Sequence, residues 1–251
     1  MKAFLDESGK HGAAEMITVA GLLYRNREVK ILQREWPKAL GVIPAPYHHA
    51  DFLYGKPPFD GIGEPERTHV QERLIDKMSD LDYLGFGASV MRSDLAPFTN
   101  RLRSSPAFRD PWFFVFESAI SNLMIRTGEL GRLGVIDFVF DRQDEFQERA
   151  HDIFNTLRSM TQLSYWARLG SLTFSPKDKV CPLQAVDLFT YEVNIYVRET
   201  VKKLNPERWQ MRRLRGARDP STLNGYIWDA ENLEAVSRLK EEERGTSAFN
   251  V

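Results

Sequence analysis

The segment MKAFLDESGKHG, residues 1–12, and the run MITVAGLLY, residues 16–24, indicate how the fold begins. Both contain a run of apolar residues, and a glycine-containing stretch separates these runs. Two such runs around a turn signal predict an antiparallel β-hairpin. The first run ends in two adjacent acids, Asp6 and Glu7. We therefore expect two carboxylates at the end of the first strand, either as a solvated strand end or as part of a metal or phosphoryl site.

The pattern beyond this hairpin predicts a mixed α/β fold. Helical periodicity and helix-start signals mark residues 27–40, 64–81, 112–128, 144–160 and 182–204. Strand patterns mark residues 83–91, 133–141 and 169–175. Residues 41–63 are rich in Pro and Gly and are expected to form a long loop. No internal repeat or linker is evident, so we expect residues 1–251 to form one domain.

The composition predicts a globular protein without a strong overall charge. The 251 residues are 42% hydrophobic, and 34 Lys and Arg against 35 Asp and Glu give a formal net charge of −1. Any affinity for nucleic acid must therefore come from local clusters of charge. A single cysteine, Cys181, excludes an internal disulfide and is typical of a reducing compartment. Because no signal-peptide pattern or membrane-length apolar run is present, we expect a cytoplasmic protein.

Four carboxylates lie in surroundings that predict burial. Asp6 and Asp141 end apolar strands, whereas Glu117 and Asp187 lie among apolar residues of predicted helices. A buried carboxylate is costly unless it is protonated, paired with a cation or bound to a metal ion. If the strands that end in Asp6 and Asp141 are parallel neighbours, the two side chains lie at one edge of the sheet. This pattern favours a site for Mg²⁺ or Mn²⁺ that supports two-metal phosphodiester hydrolysis.

Each of these acids also has a structural interpretation. An aspartate at a strand end more often forms a turn or a cap than a metal site. Glu117 is equally well explained by a core ion pair with Arg126 or Arg109. Glu7 is expected on the opposite face of the strand from Asp6, because successive side chains alternate. The prediction of a metal site therefore requires that the acids converge and are not each paired with an Arg or Lys. Acids that lie far apart, or that are each paired with such a cation, would favour a structural role.

Two adjacent histidines, His48 and His49, precede Asp51 in the long loop. The simpler interpretation is a solvated pair. The functional alternative is that His49 moves a proton to or from water or a leaving oxygen, since imidazole titrates near neutral pH. His11 lies close to Asp6 in sequence and is a further candidate for the rim of the site. Without more ligands at suitable spacing, a zinc site is not expected.

Basic residues in two places are candidates for binding phosphate groups. Lys177 and Lys179 precede the last predicted helix, whose first backbone amides also attract anions. Residues 202–218 contain seven basic side chains, one acid and Trp209, which suits a nucleic-acid backbone but is also typical of a polar surface. The candidate substrate-binding residues are Glu7, Ser8, Gln184, Lys177 and Lys179.

Four short motifs resemble the domain-of-unknown-function family 3800 (DUF3800). The motifs are FLDESG at 4–9, YHHADF at 47–52, FVFD at 138–141 and LQAVDL at 183–188. The pair Gln184 and Asp187, taken with the opening Asp-Glu, is the most specific part of the resemblance. Members of this family are taken to have a ribonuclease H-like fold.

This resemblance implies a set of site residues. It places one acid on the first strand (Asp6), one on the helix before the fourth strand (Glu117), one at the end of that strand (Asp141) and one on the last helix (Asp187). It also implies a mixed sheet flanked by helices, with a helical insertion at about 25–82 between strands two and three. A basic extension follows at about 205–251.

The leading hypothesis is a metal-dependent nuclease or related phosphoryl-transfer enzyme, with Mg²⁺ or Mn²⁺ as cofactor and nucleic acid as partner. One alternative is a non-catalytic nucleic-acid or protein-binding module of a mobile-element or phage-defence system, in which the acids are structural. Another is a phosphatase of the haloacid-dehalogenase type with Asp6 as nucleophile. Ser8 argues against that alternative, because that family has a second aspartate at this position.

Overall fold

A computed structural model describes residues 1–10, 14–99, 110–142, 144–160, 164–204, 207–216 and 223–247, with side chains to residue 238. His11, Arg109 and residues 205, 206, 217 and 218 of the basic segment lie outside the described residues, so the predicted pairing of Glu117 with Arg109 stays a prediction. Within the described part of the chain, no helix is both long and apolar enough to cross a membrane.

The described strands form one mixed β-sheet. They are β1 (Lys2–Ser8), β2 (Met16–Tyr24), β3 (Tyr83–Met91), β4 (Ile136–Asp141), β5 (Leu169–Ser175) and β6 (Leu223–Trp228). Their order across the sheet is β5-β4-β1-β2-β3-β6. β2 is antiparallel to both of its neighbours, whereas β4 and β5 run parallel to each other and to β1. β6 runs parallel to β3 at the far edge. The carboxyl ends of β1, β4 and β5 therefore share one edge of the sheet.

Helices cover both faces of the sheet. They are α1 (Asn26–Leu40), α2 (His49–Leu53), α3 (Glu64–Ser79), α4 (Arg92–Leu95), α5 (Pro111–Glu129), α6 (Gln147–Ser159), α7 (Cys181–Val201), α8 (Trp209–Arg215) and α9 (Ala230–Ser247). α7 packs against β1 and β2 on one face, with α1 and α3 outside it. α5 packs against β2, β3 and β6 on the other face, with α6 beside it.

Alternation along the strands assigns side chains to these two faces. In β1, Ala3 and Leu5 join the core beneath α5, whereas Phe4 joins the core beneath α7. In β4, Phe140 faces α5 and Val139 faces α7. Because side chains two residues apart share a face, Asp6 follows Phe4 and Asp141 follows Val139 onto the α7 side. The strand pattern thus directs both acids toward one helix.

Most of the predicted elements are confirmed, including the opening antiparallel hairpin and the strand at residues 169–175. β1 continues through Ser8, so the acid pair lies within the strand rather than after it. β4 begins at Ile136 and not at residue 133, because Leu133 and Val135 are exposed before the sheet begins. The predicted loop at residues 41–63 contains the short helix α2.

The C-terminal region is more structured than predicted. Residues 205–251 were expected to be a basic extension, yet β6 joins the sheet beside β3 and α9 follows it. In β6, the pair Asn224 and Gly225 interrupts the apolar pattern that marks a strand. Pairing with the neighbouring strand, rather than local propensity, therefore determines this element.

Gly9 is expected to be essential for the turn that follows β1. Its backbone has φ +81°, and a Cβ atom there would lie 1.9 Å from the carbonyl oxygen of Met16. Gly9→Ala should lower the free energy of unfolding by at least about 2 kcal/mol, because the left-handed conformation alone costs an L-residue about 1–2 kcal/mol. Urea denaturation measures this change. Gly61→Ala is the matched control, because nothing lies within 4 Å of a Cβ at Gly61, and its effect should stay within about 0.5 kcal/mol. Equal effects at the two positions would contradict the expectation.

Candidate functional site

Three of the four predicted acids come together at the carboxyl edge of β1 and β4. Asp6 and Asp141 are brought side by side because the two strands are parallel neighbours, with Leu5 opposite Phe140 one position earlier. Asp187 comes from the second turn of α7, which lies directly over β1 and β2. The acids therefore converge, which is the first of the two conditions of the metal-site hypothesis; the second, that they are not paired with cations, depends on their contacts.

A single ammonium group lies among these carboxylates. Lys177 Nζ is 3.4 Å from Asp6 Oδ2, 3.1 Å from Asp141 Oδ2 and 3.1 Å from Asp187 Oδ1. Its side chain is only 15% exposed, and those of the three aspartates are 4–13% exposed. One positive charge cannot balance three carboxylates, so the cluster of Asp6, Asp141, Asp187 and Lys177 carries an excess of negative charge when all three acids are ionised. We call this group the aspartate cluster.

The pKa values in the cluster shift in different directions. Burial raises the pKa of Asp6 well above its ordinary value, and Lys177 only partly opposes this rise. Burial also acts to raise the pKa of Asp187, but Lys177 and His48 outweigh it and hold that pKa below its ordinary value. Burial acts to lower the pKa of Lys177, but the three aspartates raise it overall. Lys177 is therefore held firmly in its charged form.

Hydrogen bonds fix the orientation of two of the aspartates. Asp6 Oδ1 accepts a bond from the backbone N–H of Glu7 at 2.9 Å. Asp187 Oδ2 accepts a bond of 2.6 Å from the backbone N–H of His49, the first residue of α2. The oxygens of Asp6 and Asp187 that contact Lys177 are therefore the ones not used by these backbone amides.

Buried hydrogen bonds join α7 to β2. Thr190 Oγ1 donates to the carbonyl of Ala20 at 3.2 Å, and Asn194 Nδ2 donates to Thr18 Oγ1 at 3.0 Å. All of these groups are buried, so their loss would leave unsatisfied polar atoms in the core. Since Asp187 lies one turn before Thr190, these contacts fix its position over β1.

His49 is not the solvated loop residue that the simpler interpretation predicted. Its side chain is completely buried. Its Nδ1 lies 2.7 Å from Tyr47 Oη, and its Nε2 lies 3.2 Å from Glu192 Oε1. Both ring nitrogens are therefore engaged with protein groups, which argues against the proposed transfer of a proton to substrate. The partly exposed neighbour, His48, has its Nε2 3.9 Å from Asp187 Oδ1 and lies at the rim of the cluster.

The sequence analysis missed a buried network behind the aspartate cluster. Glu192, fully buried on α7, contacts His49 Nε2 at 3.2 Å and Arg208 Nη2 at 3.4 Å. The sequence does indicate that Glu192 is buried, because this residue lies between Tyr191 and Val193 in the same apolar helix as Asp187. This network holds α2 against α7 and so supports the backbone amide that binds Asp187.

Gln184 has a connecting role that was not predicted. Its Oε1 accepts bonds from Trp36 Nε1 at 3.1 Å and from the backbone N–H of Tyr47 at 3.3 Å. Its Nε2 donates to the backbone carbonyl of Lys177 at 2.9 Å. Its predicted role in binding substrate stays a prediction, but its amide is already used to join α1, the segment before α2 and the Lys177 backbone.

Glu117 does not join the other three acids. It is half-buried on α5, where it lines a cavity with Asn224 and Tyr226 of β6. α5 covers the opposite face of the sheet from α7. The physical reason is that α5 packs through Trp112 and Phe116 against Phe140, on the face of the sheet that Asp6 and Asp141 do not share. The expected fourth ligand is therefore not part of the aspartate cluster.

The remaining candidate substrate-binding residues lie around the cluster. Glu7 is half-buried, and burial raises its pKa to about 7, against the opposing effect of Lys10. Ser8 ends β1 opposite Thr18 of β2. Lys179 is exposed two residues after Lys177. Of these lysines, Lys177 points inward and Lys179 lies at the surface.

The basic segment at residues 202–218 is largely neutralised where it is described. Four of its cations contact acids, in the pairs Lys202–Glu15, Arg208–Glu192, Arg213–Asp76 and Arg215–Glu207. A cation already paired with an acid attracts a phosphate less strongly than a free one. The described part of this segment therefore gives limited support to a nucleic-acid surface.

The aspartate cluster offers carboxylate oxygens, which are ligands of the type that divalent cations bind. Carboxylate oxygens are the ligands that Mg²⁺ and Mn²⁺ prefer. Among the described residues, however, no three His, Cys, Asp or Glu side chains stand at positions that could hold a metal ion between them. The carboxylates are spaced around an ammonium at 3.1–3.4 Å, whereas Mg²⁺ requires about 2.1 Å. In the arrangement that the structure shows, the Lys177 ammonium occupies the space between the carboxylates, and the acids are not placed to hold a metal ion.

Comparisons with known proteins do not identify the chain. No protein-family model and no curated protein matches it. Among solved structures, a chain in the structure of the PCNA:RNase HII complex from Archaeoglobus fulgidus is similar over 81% of this chain and 76% of that chain, with a TM-score of 0.42 and 13% identity. A similarity at this level establishes neither a common fold nor a common activity. The resemblance to family 3800 stays an interpretation of the sequence motifs.

Proposed function

We propose that the protein is a metal-dependent nuclease or related phosphoryl-transfer enzyme that uses Mg²⁺ or Mn²⁺ at the aspartate cluster. The observation that supports this proposal is the meeting of Asp6, Asp141 and Asp187, from three separate elements, in one buried place at the edge of the sheet. Burying several carboxylates together is costly without cations. Such a cost is expected where the acids are needed for chemistry rather than for stability.

The three aspartates would hold the metal ion through their carboxylate oxygens. When bound, an ion of this kind activates water and stabilises negative charge on the leaving oxygen of a phosphodiester. The chain itself contributes orientation, through the amides of Glu7 and His49 that hold Asp6 and Asp187. It also contributes burial, which strengthens electrostatic interactions by excluding water. Lys177 and the exposed Lys179 are the proposed contacts to substrate phosphate.

The arrangement of the sheet is in accord with a ribonuclease H-like fold. The acids occur on the first strand, at the end of the fourth strand and on the helix after the fifth strand, in the order that the family resemblance implied. In this interpretation α1, α2 and α3 form an insertion between β2 and β3. Residues 1–251 then form one domain, because the cores on both faces share the same sheet.

Calorimetric titration with Mn²⁺ tests the proposal. Wild-type protein should bind Mn²⁺, and Asp6→Asn should bind it at least tenfold more weakly, because the substitution removes a charged ligand while keeping its shape. Asp152→Asn changes the net charge equally at an exposed position on α6 and serves as the control. Absence of Mn²⁺ binding by the wild type, or equal binding by wild type and Asp6→Asn, would contradict the proposal.

A non-catalytic role for the cluster is the second candidate. The observation in its favour is Lys177, whose ammonium contacts all three carboxylates and gives them a common partner. In that case the cluster is a buried ion-pair network that joins β1, β4 and α7. The Mn²⁺ titration separates the two candidates, because a purely structural network has no need of a divalent cation.

A further inference from the structure

We propose that Lys177 is a displaceable internal counter-ion, which a divalent cation must expel from the aspartate cluster before it can bind. This inference rests on the proposed metal site and concerns how that site is opened. In this proposal the aspartate cluster holds either the Lys177 ammonium or a divalent cation, and never both.

The Lys177 ammonium occupies the place that a metal ion in the aspartate cluster would take. Lys177 Nζ contacts oxygens of Asp6, Asp141 and Asp187 at 3.1–3.4 Å, so it occupies the space between the three carboxyl groups. A metal ion coordinated by the same oxygens would lie within about 2.1 Å of each of them. An ammonium and a divalent ion cannot both occupy this place, because of their size and their like charge.

The backbone at Lys177 is held in place by hydrogen bonds. It belongs to the short connection between β5 and α7, at residues 176–180. The backbone there is held by Gln184, which binds the carbonyl of Lys177, and by a turn in which Lys179 N–H donates to the carbonyl of Pro176 at 3.0 Å. The anchored backbone leaves the side chain as the part that moves. A lysine side chain has several rotatable bonds, and its ammonium is strongly hydrated once exposed.

The connection that contains Lys177 lies next to solvent. The two residues that follow Lys177, Asp178 and Lys179, are exposed, so solvent lies next to the connection. An outward rotation of the Lys177 side chain would carry its ammonium toward this solvent. The displaced ammonium would remain at the mouth of the cluster, where it could meet an anionic substrate.

This displacement predicts that Lys177 weakens metal binding. Lys177→Gln should bind Mn²⁺ at least tenfold more tightly than the wild type, because the metal no longer competes with a resident cation. In the presence of a chelator, the same variant should melt at a lower temperature than the wild type, and Mn²⁺ should raise its melting temperature by more. Lys30→Gln is the matched control, since it removes the same charge at an exposed position on α1, and its Mn²⁺ affinity should equal that of the wild type.

Lys177→Arg provides a second variant that keeps the charge and remains informative if Lys177→Gln does not fold. A guanidinium pairs with carboxylates through two parallel hydrogen bonds. Lys177→Arg should therefore bind Mn²⁺ more weakly than the wild type, by severalfold or more. The two variants thus move the affinity in opposite directions.

The outcomes separate this inference from the function on which it rests. Tighter binding by Lys177→Gln and weaker binding by Lys177→Arg would support displacement. Equal affinities across wild type and both variants would overturn displacement while leaving the metal site intact. Absence of Mn²⁺ binding in the wild type would overturn the metal site itself, and the inference with it.

Discussion

Asp187→Asn is expected to reduce metal-dependent hydrolysis of nucleic acid by about a thousandfold. The substitution keeps the shape of the side chain and an oxygen that can accept the bond from the His49 amide, but it removes one of the charges that would hold the cation. Metal ions supply several kcal/mol to phosphoryl transfer. A loss of about 4 kcal/mol of that stabilisation corresponds to a thousandfold in rate.

Fluorescently labelled single- and double-stranded DNA and RNA oligonucleotides with Mn²⁺ or Mg²⁺ provide the measurement for Asp187→Asn. Thermal denaturation of the variant shows whether a loss of rate reflects a loss of fold. Asp152→Asn, at the surface of α6, should retain the wild-type rate. A wild-type rate in Asp187→Asn on a substrate that the wild type cleaves would remove Asp187 from the mechanism.

Glu192→Ala is expected to destabilise the fold by about 3–5 kcal/mol. Glu192 is fully buried and contacts both His49 and Arg208. Removing Glu192 leaves Nε2 of the fully buried His49 without its partner and takes away the acid that Arg208 contacts, and breaking a buried pair in this way costs about 3–5 kcal/mol. Glu192→Gln keeps the size and part of the hydrogen bonding, so its effect should be smaller.

Urea denaturation followed by circular dichroism gives the free energy of unfolding for these variants. Glu148→Ala, at an exposed position on α6, is the control and should change it by less than about 1 kcal/mol. An effect of Glu192→Ala no larger than that of Glu148→Ala would show that the buried network contributes nothing to stability. Mn²⁺ binding by Glu192→Ala should also weaken, because the network supports the amide of His49 that orients Asp187.

Local patterns predicted the strands that matter most for the site. The apolar runs before Asp6 and Asp141 mark β1 and β4, and the alternation of side chains correctly places both acids on one face. The parallel pairing of these strands was a condition of the hypothesis rather than a result of it, since no local signal specifies which strands are neighbours. The structure supplies that pairing.

Two features of the site depend on tertiary packing and were beyond the sequence. Glu117 and Asp187 have similar apolar surroundings in sequence, yet α5 and α7 pack on opposite faces of the sheet, and Glu117 lies beside β6. Lys177 looked like a surface contact for phosphate, whereas the unbalanced charge of three aspartates draws its side chain inward. The face of the sheet that a helix covers and the direction of a loop side chain are both determined by tertiary packing.

The order of the strands has a consequence for how the chain folds. β1 and β2 can pair as soon as residues close in sequence meet, but β1 reaches β4 only by closing a loop from residue 9 to residue 135. Closing so long a loop is entropically costly, so non-local pairings tend to form slowly. The acids therefore stay apart during the early steps and meet only as the parallel half of the sheet assembles. A nascent chain that ends after β3 contains Asp6 alone and has no cluster to assemble.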